Sequence, residues 1–140
     1  MQPELTEQIL ELVRLRATDL PPDVEKSLQN ARDVEEAGSA ARAALDTILS
    51  NVQMAREKST PICQDTGTPI FYVAFPEAWS TRKIKKQIQD AVIQATAEAY
   101  LRPNSVNTVT GKNTGDNSGD EHYPSIHFNE VEGCLLYTSD

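Results

Sequence analysis

Residues 59–73, with the sequence STPICQDTGTPIFYV, mark the point at which the predicted fold changes from helix to strand. Pro61 ends the preceding helix, because a proline forces the residue before it out of the α-helical conformation. The polar turn that follows places a thiol, an amide and a carboxylate next to one another, in Cys63, Gln64 and Asp65. Residues 69–75 are rich in aromatic and β-branched side chains, so they predict a mostly buried strand. The three polar groups thus lie at the start of a strand, where apolar packing explains them poorly.

Upstream of this turn, residues 5–57 predict an array of three helices. Apolar side chains recur there at helical spacing in three runs, at 5–15, 24–31 and 41–55. Pro21-Pro22 separates the first two helices, since proline is tolerated in the first turn of a helix. Gly38-Ser39 separates the last two, and the serine is suited to cap the third helix. The short connections predict that the three helices fold back on each other.

Downstream of the strand, residues 81–101 predict a long helix with an apolar inner face, which Arg102-Pro103 ends. The following segment, 104–121, is rich in Gly, Asn, Thr and Ser and therefore predicts a loop. Residues 123–131, YPSIHFNEV, predict a second strand. The predicted fold class is α+β, with an N-terminal helical array followed by a strand–helix–loop–strand unit. We expect this unit to be the start of a larger mixed α/β domain.

The composition describes a globular chain of 140 residues, with 39% hydrophobic and 24% charged residues. Its net charge of −8 argues against nucleic acid and against anionic lipid as partners, since both require a basic surface. Neither a secretory signal nor a long apolar run for a membrane span is present in the sequence. Two cysteines do not make a disulfide framework, so the reducing cytoplasm is the expected location.

The last residues, 134–140, read CLLYTSD and form no sensible end to a domain. This heptapeptide matches one translated frame of a transposon-end adaptor used in preparing DNA libraries. The alternative is that the segment is an ordinary strand end. We expect residues 1–133 to be native and residues 134–140 to be a non-native tail, in which Cys134 carries no functional weight.

Each polar residue of interest has a structural interpretation beside a functional one. Cys63 is either structural or a thiolate ligand for a soft metal or an iron–sulfur cluster. Asp65 either transfers a proton or forms a turn, and Gln64 either binds a substrate or satisfies buried carbonyls. Arg102 either complements the dipole of the long helix or grips a carboxylate with its planar fork. The loop at 113–117, NTGDN, is either a backbone nest for an anion or an ordinary surface loop.

The ordered set PICQDTG, the arginine after the long helix, NTGDN and PSIHF resembles the class I, iron–sulfur-dependent fumarate hydratases. It equally resembles the related L(+)-tartrate dehydratases, in the N-terminal part of their α subunit or α region. The resemblance implies that Cys63 is one of three cysteines that hold a [4Fe-4S] cluster. It further implies that Gln64 contacts the substrate, that Asp65 handles the proton, and that Arg102 holds a substrate carboxylate. On this basis residues 1–133 are the N-terminal fragment of a hydro-lyase α domain, with 59–133 bearing the active site.

The resemblance implies reversible dehydration of (S)-malate to fumarate, a step of the tricarboxylic acid cycle, with the cluster as Lewis acid. The family's other two cluster cysteines and its separate β region have no counterpart in this sequence. We therefore expect the chain alone to be inactive, and the intact protein to be an oligomer that needs a β subunit or β region. One alternative is an L(+)-tartrate dehydratase α subunit, since no residue fixes the hydroxyl pattern of the small dicarboxylate substrate. The other is a non-catalytic helical interaction module, which leaves CQDTG and Arg102 unexplained.

Overall fold

The computed structural model describes residues 2–118 and 123–132 of the chain. In this part the elements follow in the order α1 (Thr6–Thr18), α2 (Pro22–Val34), α3 (Ala40–Lys58), β1 (Ile70–Pro76), α4 (Thr81–Ala97) and β2 (Ser125–Val131). The predicted α+β class is confirmed, with the helical array first and the strand–helix–loop–strand unit after it. The tail predicted at 134–140, including Cys134, lies outside the described residues. No helix in the described ranges is both long enough and apolar enough to cross a membrane.

Helix α4 is the centre of the hydrophobic core. Its predicted inner face is buried at Ile84, Ile88, Ala91, Val92 and Ala95. One end of this face packs against Leu10 and Val13 of α1, and the other packs against Phe75 of β1. The helix begins where Ser80 accepts a hydrogen bond from the backbone N–H of Lys83 (3.4 Å), as a capping serine does. Helix α4 thus joins the helical array to the sheet.

The C-terminal end of α4 differs from the prediction. The helix ends at Ala97, four residues before the predicted end at Leu101. Ala99 adopts a left-handed backbone with φ of 62°, and the N–H groups of Tyr100 and Leu101 both donate to the Ala95 carbonyl. The chain therefore turns back over the end of the helix before the proline is reached. Ala99, which lies within the predicted helix 81–101, is outside the observed helix and exposed for this reason.

The three N-terminal helices do not form the mutually packed array that was predicted. Helix α2 packs against α3, whereas α1 packs mainly against α4 and touches α3 over a small area. Within the described residues α2 buries no side chain, and α3 buries only Val52 and Ala55. Ser39 caps α3 as predicted, accepting a hydrogen bond from the Arg42 N–H (3.1 Å). Helices α2 and α3 therefore form a hairpin beside the core, because α1 has a larger apolar partner in α4.

Strands β1 and β2 pair in parallel, from Ile70 opposite Ser125 to Pro76 opposite Val131, with α4 as the crossover between them. The prediction that β1 is mostly buried is wrong. Phe75 is 7% exposed, but Tyr72 is 80% exposed, and its ring stacks on the ring of His127 at a centroid distance of 4.9 Å. Within the described residues α4 covers one face of the two-stranded sheet, so alternate side chains of β1 remain open to solvent.

Candidate active site

The topology of β1, α4 and β2 brings two distant parts of the sequence to one edge of the sheet. In a parallel crossover the helix runs back against the strands, so the end of α4 lies near the start of β1. The backbone N–H of Arg102 donates to Thr66 Oγ1 at 3.1 Å. Asn104 Nδ2 donates to Asp65 Oδ1 at 2.9 Å. The CQDTG turn and the segment that follows α4 are therefore bonded directly to each other.

An open cleft of about 860 Å³ lies between these two segments. It is lined by Gln64, Asp65, Gly67, Thr68, Arg102, Pro103, Asn104 and Asn113. Three of the four predicted site residues thus line the same cleft, together with one residue of the NTGDN loop. One guanidinium, one carboxylate and several amides surround a space large enough for a small polar molecule. This lining is suited to bind a small anion and to exchange a proton with it.

Cys63, the fourth predicted site residue, does not line this cleft. It lies in an adjoining pocket of about 390 Å³, which Arg16 of α1 and Asp19, the residue after α1, also line. Asp65 lines both spaces, so this residue lies at the boundary between the cleft and the pocket of Cys63. The thiol of Cys63 is free and exposed. Residues 2–118 and 123–132 gather no group of three His, Cys, Asp or Glu side chains that could hold a metal, so Cys63 is a single candidate ligand there.

Helices α1 and α3 fix the backbone that leads into Cys63. The Ile62 N–H donates to the Ala17 carbonyl at the end of α1 (3.0 Å). Asn51 Nδ2 of α3 donates to the Ile62 carbonyl (2.8 Å). Ser59 ends α3 in a left-handed conformation with φ of 50°, which turns the chain towards these contacts. Helices α1 and α3 therefore hold Ile62, the residue before Cys63, through hydrogen bonds to both its N–H and its carbonyl.

The carboxylate of Asp65 is held through one oxygen. Its Oδ1 accepts hydrogen bonds from the Gly67 N–H (2.8 Å) and from Asn104 Nδ2 (2.9 Å). Gly67 has φ of 69°, a backbone conformation that glycine adopts without strain. The bond to Gly67 closes a local turn, so the turn-forming interpretation of Asp65 holds. Both hydrogen bonds that the described residues make to Asp65 end on Oδ1, and Oδ2 is left for another partner.

Arg102 is half-buried, and its backbone is held at both ends. Its N–H donates to Thr66, and its carbonyl accepts from Asn117 Nδ2 and from the Asn104 N–H, both at 2.8 Å. Since α4 ends at Ala97 with no basic residue in its last turn, Arg102 does not complement the helix dipole. Among the described residues the buried Nε–H of Arg102 has no hydrogen-bond partner. A buried donor without a partner is costly, so this guanidinium is suited to receive an acceptor from a ligand.

The NTGDN loop is held by hydrogen bonds within it and by others to α4 and to the segment after α4. Asn113 Oδ1 accepts from the Gly115 N–H (2.7 Å), and Asp116 Oδ1 accepts from the Ser118 N–H (2.9 Å). Hydrogen bonds to the Asp116 carboxylate, first from the hydroxyl of Ser118 and then from that of Thr114, lower its pKa below the usual value. The N–H groups of Gly115 and Ser118 are thus already donated to side chains and are not available to an anion. Its direct part in the cleft is Asn113, which donates to the Pro103 carbonyl.

Three residues whose side chains hold the segment after α4 were not predicted individually from the sequence. Thr66 and Asn104 join that segment to the CQDTG turn, and Asn117 bonds to the Arg102 carbonyl within the segment. Thr66 belongs to the CQDTG motif and Asn117 to the NTGDN motif, so the motifs could have indicated that both residues belong to the site. Asn104 follows Arg102-Pro103 in a polar loop and carried no such signal, because its partner Asp65 lies far away in the sequence.

Comparison with known proteins matches the chain to one family over nearly its whole length. The family model for fumarate hydratase (Fumerase) matches residues 6–137. A Geobacillus stearothermophilus protein provisionally named class I fumarate hydratase is 42% identical, over 92% of this chain and 25% of that protein. The L(+)-tartrate dehydratase subunit alpha of Escherichia coli K12 is 35% identical, over 83% of this chain and 38% of that protein. A Methanocaldococcus jannaschii protein provisionally given the same subunit name is 33% identical, over 91% of this chain and 46% of that protein. The chain spans less than half the length of these relatives, and it belongs to the fumarate hydratase (Fumerase) family.

Proposed function

We propose that this chain is the N-terminal part of a class I hydro-lyase α domain that reversibly dehydrates (S)-malate to fumarate. The observation that carries the proposal is the direct bonding of the CQDTG turn to the Arg102 segment around one polar cleft. Family membership supports the reaction class, and the greater length of the relatives supports a larger intact protein. The boundaries at 1–133 and 134–140 stay predictions, as do the roles of individual residues.

Arg102 is the proposed binding residue for one carboxylate of the substrate. A guanidinium binds a carboxylate with two parallel hydrogen bonds, which fixes both the position and the orientation of the ligand. Its buried Nε–H lacks a partner among the described residues, and a carboxylate oxygen would satisfy it. Gln64, which lines the same cleft, is the proposed second contact to the substrate.

Asp65 is the proposed proton-transfer residue. In dehydration a proton leaves the carbon next to the one that bears the hydroxyl group, and in hydration it returns there. The two hydrogen bonds to Oδ1 hold the carboxylate in one orientation, which leaves Oδ2 to accept and return the proton. Holding the base and the substrate in fixed positions removes much of the entropic cost of the step.

Cys63 is the proposed ligand for a [4Fe-4S] cluster. Its free, exposed thiol fits one position of such a cluster, and the further ligands would come from sequence beyond the described residues. When bound, the cluster supplies a Lewis acid for departure of the hydroxyl group. A free thiol stays reduced in the cytoplasm, where we propose that the protein works.

The rival substrate is L(+)-tartrate. Two of the relatives described above are named as alpha subunits of L(+)-tartrate dehydratase, whereas the relative with 42% identity is named as a fumarate hydratase. The name "subunit alpha" supports a β subunit as partner, or a β region within one chain, and thus an oligomer. A non-catalytic helical module is a weaker alternative, because it gives no reason for the joined turn and arginine.

The test is to purify the complete protein without oxygen and to compare fumarate formation from (S)-malate with oxaloacetate formation from L(+)-tartrate. A higher kcat/KM for malate supports the proposal, and a higher value for tartrate selects the rival substrate. Cys63→Ser is expected to lose both bound iron and turnover, because one thiolate ligand is missing. Turnover and iron content that are unchanged in Cys63→Ser would contradict the catalytic proposal and favour the interaction module.

A further inference from the structure

Asn117 is the most completely bonded side chain around the candidate site. It is 2% exposed, and its backbone has φ of 57° in the left-handed region, which asparagine tolerates better than most residues. Its Nδ2 donates to the Arg102 carbonyl (2.8 Å) and to Thr96 Oγ1 of α4 (3.0 Å). Its Oδ1 accepts from the Ser105 N–H (3.0 Å). One buried amide thus links the end of the NTGDN loop, helix α4 and the segment that carries the arginine.

The hydrogen bonds of the Asn117 side chain satisfy backbone groups that have no partner in a helix or strand. Arg102 and Ser105 lie after the end of α4, in a segment without a regular hydrogen-bond ladder. Ser105 is 4% exposed, so its N–H lies largely out of reach of water. Without the Asn117 amide this buried N–H and the Arg102 carbonyl would each lose a partner. Such losses favour movement of the segment until the groups find other partners.

We propose that Asn117 is a positioning residue that presets Arg102 for the substrate carboxylate. The proposal rests on the binding role of Arg102 given above. With the Arg102 N–H bonded to Thr66 and its carbonyl bonded to Asn117, the peptide groups on both sides of its Cα are held in place. The guanidinium then needs only side-chain torsions to meet its ligand. Because the backbone of Arg102 is already ordered, binding of the carboxylate costs less conformational entropy, and the affinity for the carboxylate is higher.

The informative variant is Asn117→Gly in the complete protein. Glycine adopts a positive φ without strain, so this change removes the amide but not the backbone conformation. We expect the dissociation constant for succinate, a dicarboxylate that cannot lose water, to rise about 10- to 100-fold. Ligand-observed NMR measures it even at weak affinity. Iron content is expected to stay at the wild-type level, because Asn117 does not line the pocket of Cys63.

Thr96→Val is the matched control. It removes the α4 hydroxyl that accepts from Asn117 but keeps the bonds of Asn117 to Arg102 and Ser105. We expect its dissociation constant for succinate to stay within about threefold of wild type. If Thr96→Val weakens binding as much as Asn117→Gly, anchoring of the loop to α4 explains the effect and the proposal is wrong. If Asn117→Gly does not fold, Asn117→Asp replaces it, since aspartate keeps the acceptor for Ser105 and loses the donor to Arg102.

A double-mutant cycle with Arg102→Ala decides whether Asn117 acts through the arginine. In the Arg102→Ala background, Asn117→Gly is expected to cause no further loss of succinate binding, because the group that it positions is gone. The same loss in both backgrounds would overturn the proposal, as would unchanged binding in Asn117→Gly accompanied by a lower melting temperature. Unchanged succinate binding in the Arg102→Ala single variant would instead refute the binding role of Arg102. This result would count against the proposed function, whereas the two results above would count against the role of Asn117 alone.

Discussion

Helix α4 and the α2–α3 hairpin show how differently two amphipathic regions of one chain are used. Both have apolar residues at helical spacing, yet α4 buries a continuous face while α2 buries no side chain within the described residues. The difference is one of partners, since α4 packs against α1 at one end and β1 at the other, whereas α2 packs on α3. The region with partners on two sides is also the region whose end carries the candidate site. Periodicity alone therefore does not distinguish a core helix from a surface helix.

The largest expected effect is on stability, and the experiment tests whether side chains of α4 contribute more to the free energy of unfolding than side chains of α2. Ile88 is 1% exposed and packs in one cluster with Phe75 and Ile84, so Ile88→Ala leaves a cavity and is expected to lower the free energy of unfolding by about 2–5 kcal/mol. Leu28→Ala on α2 removes a similar volume from a half-buried position and is expected to cost about 1 kcal/mol. Urea unfolding measures both. Equal losses would mean that the hairpin is as well packed as α4.

A smaller effect concerns the function of the segment after α4. Arg102→Lys keeps the charge but not the planar fork, so kcat/KM for the proposed dicarboxylate substrate is expected to fall about 10- to 100-fold. Arg32→Lys on α2 is the control, because among the described residues Arg32 forms ion pairs with exposed Asp33 and, at longer distance, with Asp46. Steady-state kinetics on the complete protein compares the two. A similar fall in both variants would show that the hairpin, and not only the α4 segment, serves the reaction.

The smallest expected effect concerns the ion pairs that connect the α2–α3 hairpin to the residue after α1. Arg56 of α3 bonds to Asp19, after α1, at 2.7 Å and to Glu25 of α2 at 2.5 Å. The hydrogen bond from Arg56 is the main reason why the pKa of Asp19 lies below its usual value. A lowered native pKa means that the pair stabilises the fold above the unfolded pKa of about 3.9, and that this contribution is lost as the pH falls through the native value.

Arg56→Gln is therefore expected to lower the urea midpoint slightly at neutral pH. The difference from wild type is expected to shrink as the pH falls below about 4, where the unfolded chains begin to bind a proton at Asp19, and to disappear below the lowered native pKa of Asp19. The effect is small because the three side chains are partly exposed and screened by solvent. A difference that grows at acid pH would mean that the ion pair is not the cause.

Local features of the sequence predicted much of this fold. Ser39 was expected to cap α3 and does so, and the inner face of α4 is buried as its spacing indicated. Of the predictions that were wrong, one failed because of a local turn and another because of tertiary packing. Ala99 leaves the helix because the chain folds back onto the Ala95 carbonyl, and Tyr72 is exposed because α4 covers a single face of the sheet in the described residues.

The candidate site shows the same division. The sequence alone determined which chemical groups are present and in what order, because CQDTG, Arg102 and NTGDN are read directly from neighbouring residues. Only the tertiary structure decided that Thr66 bonds to Arg102, that Asn104 bonds to Asp65, and that Cys63 lies in a separate pocket beside the cleft. The reason is physical, since a parallel crossover sets the edge at which the end of α4 meets the start of β1, and no local pattern encodes that meeting.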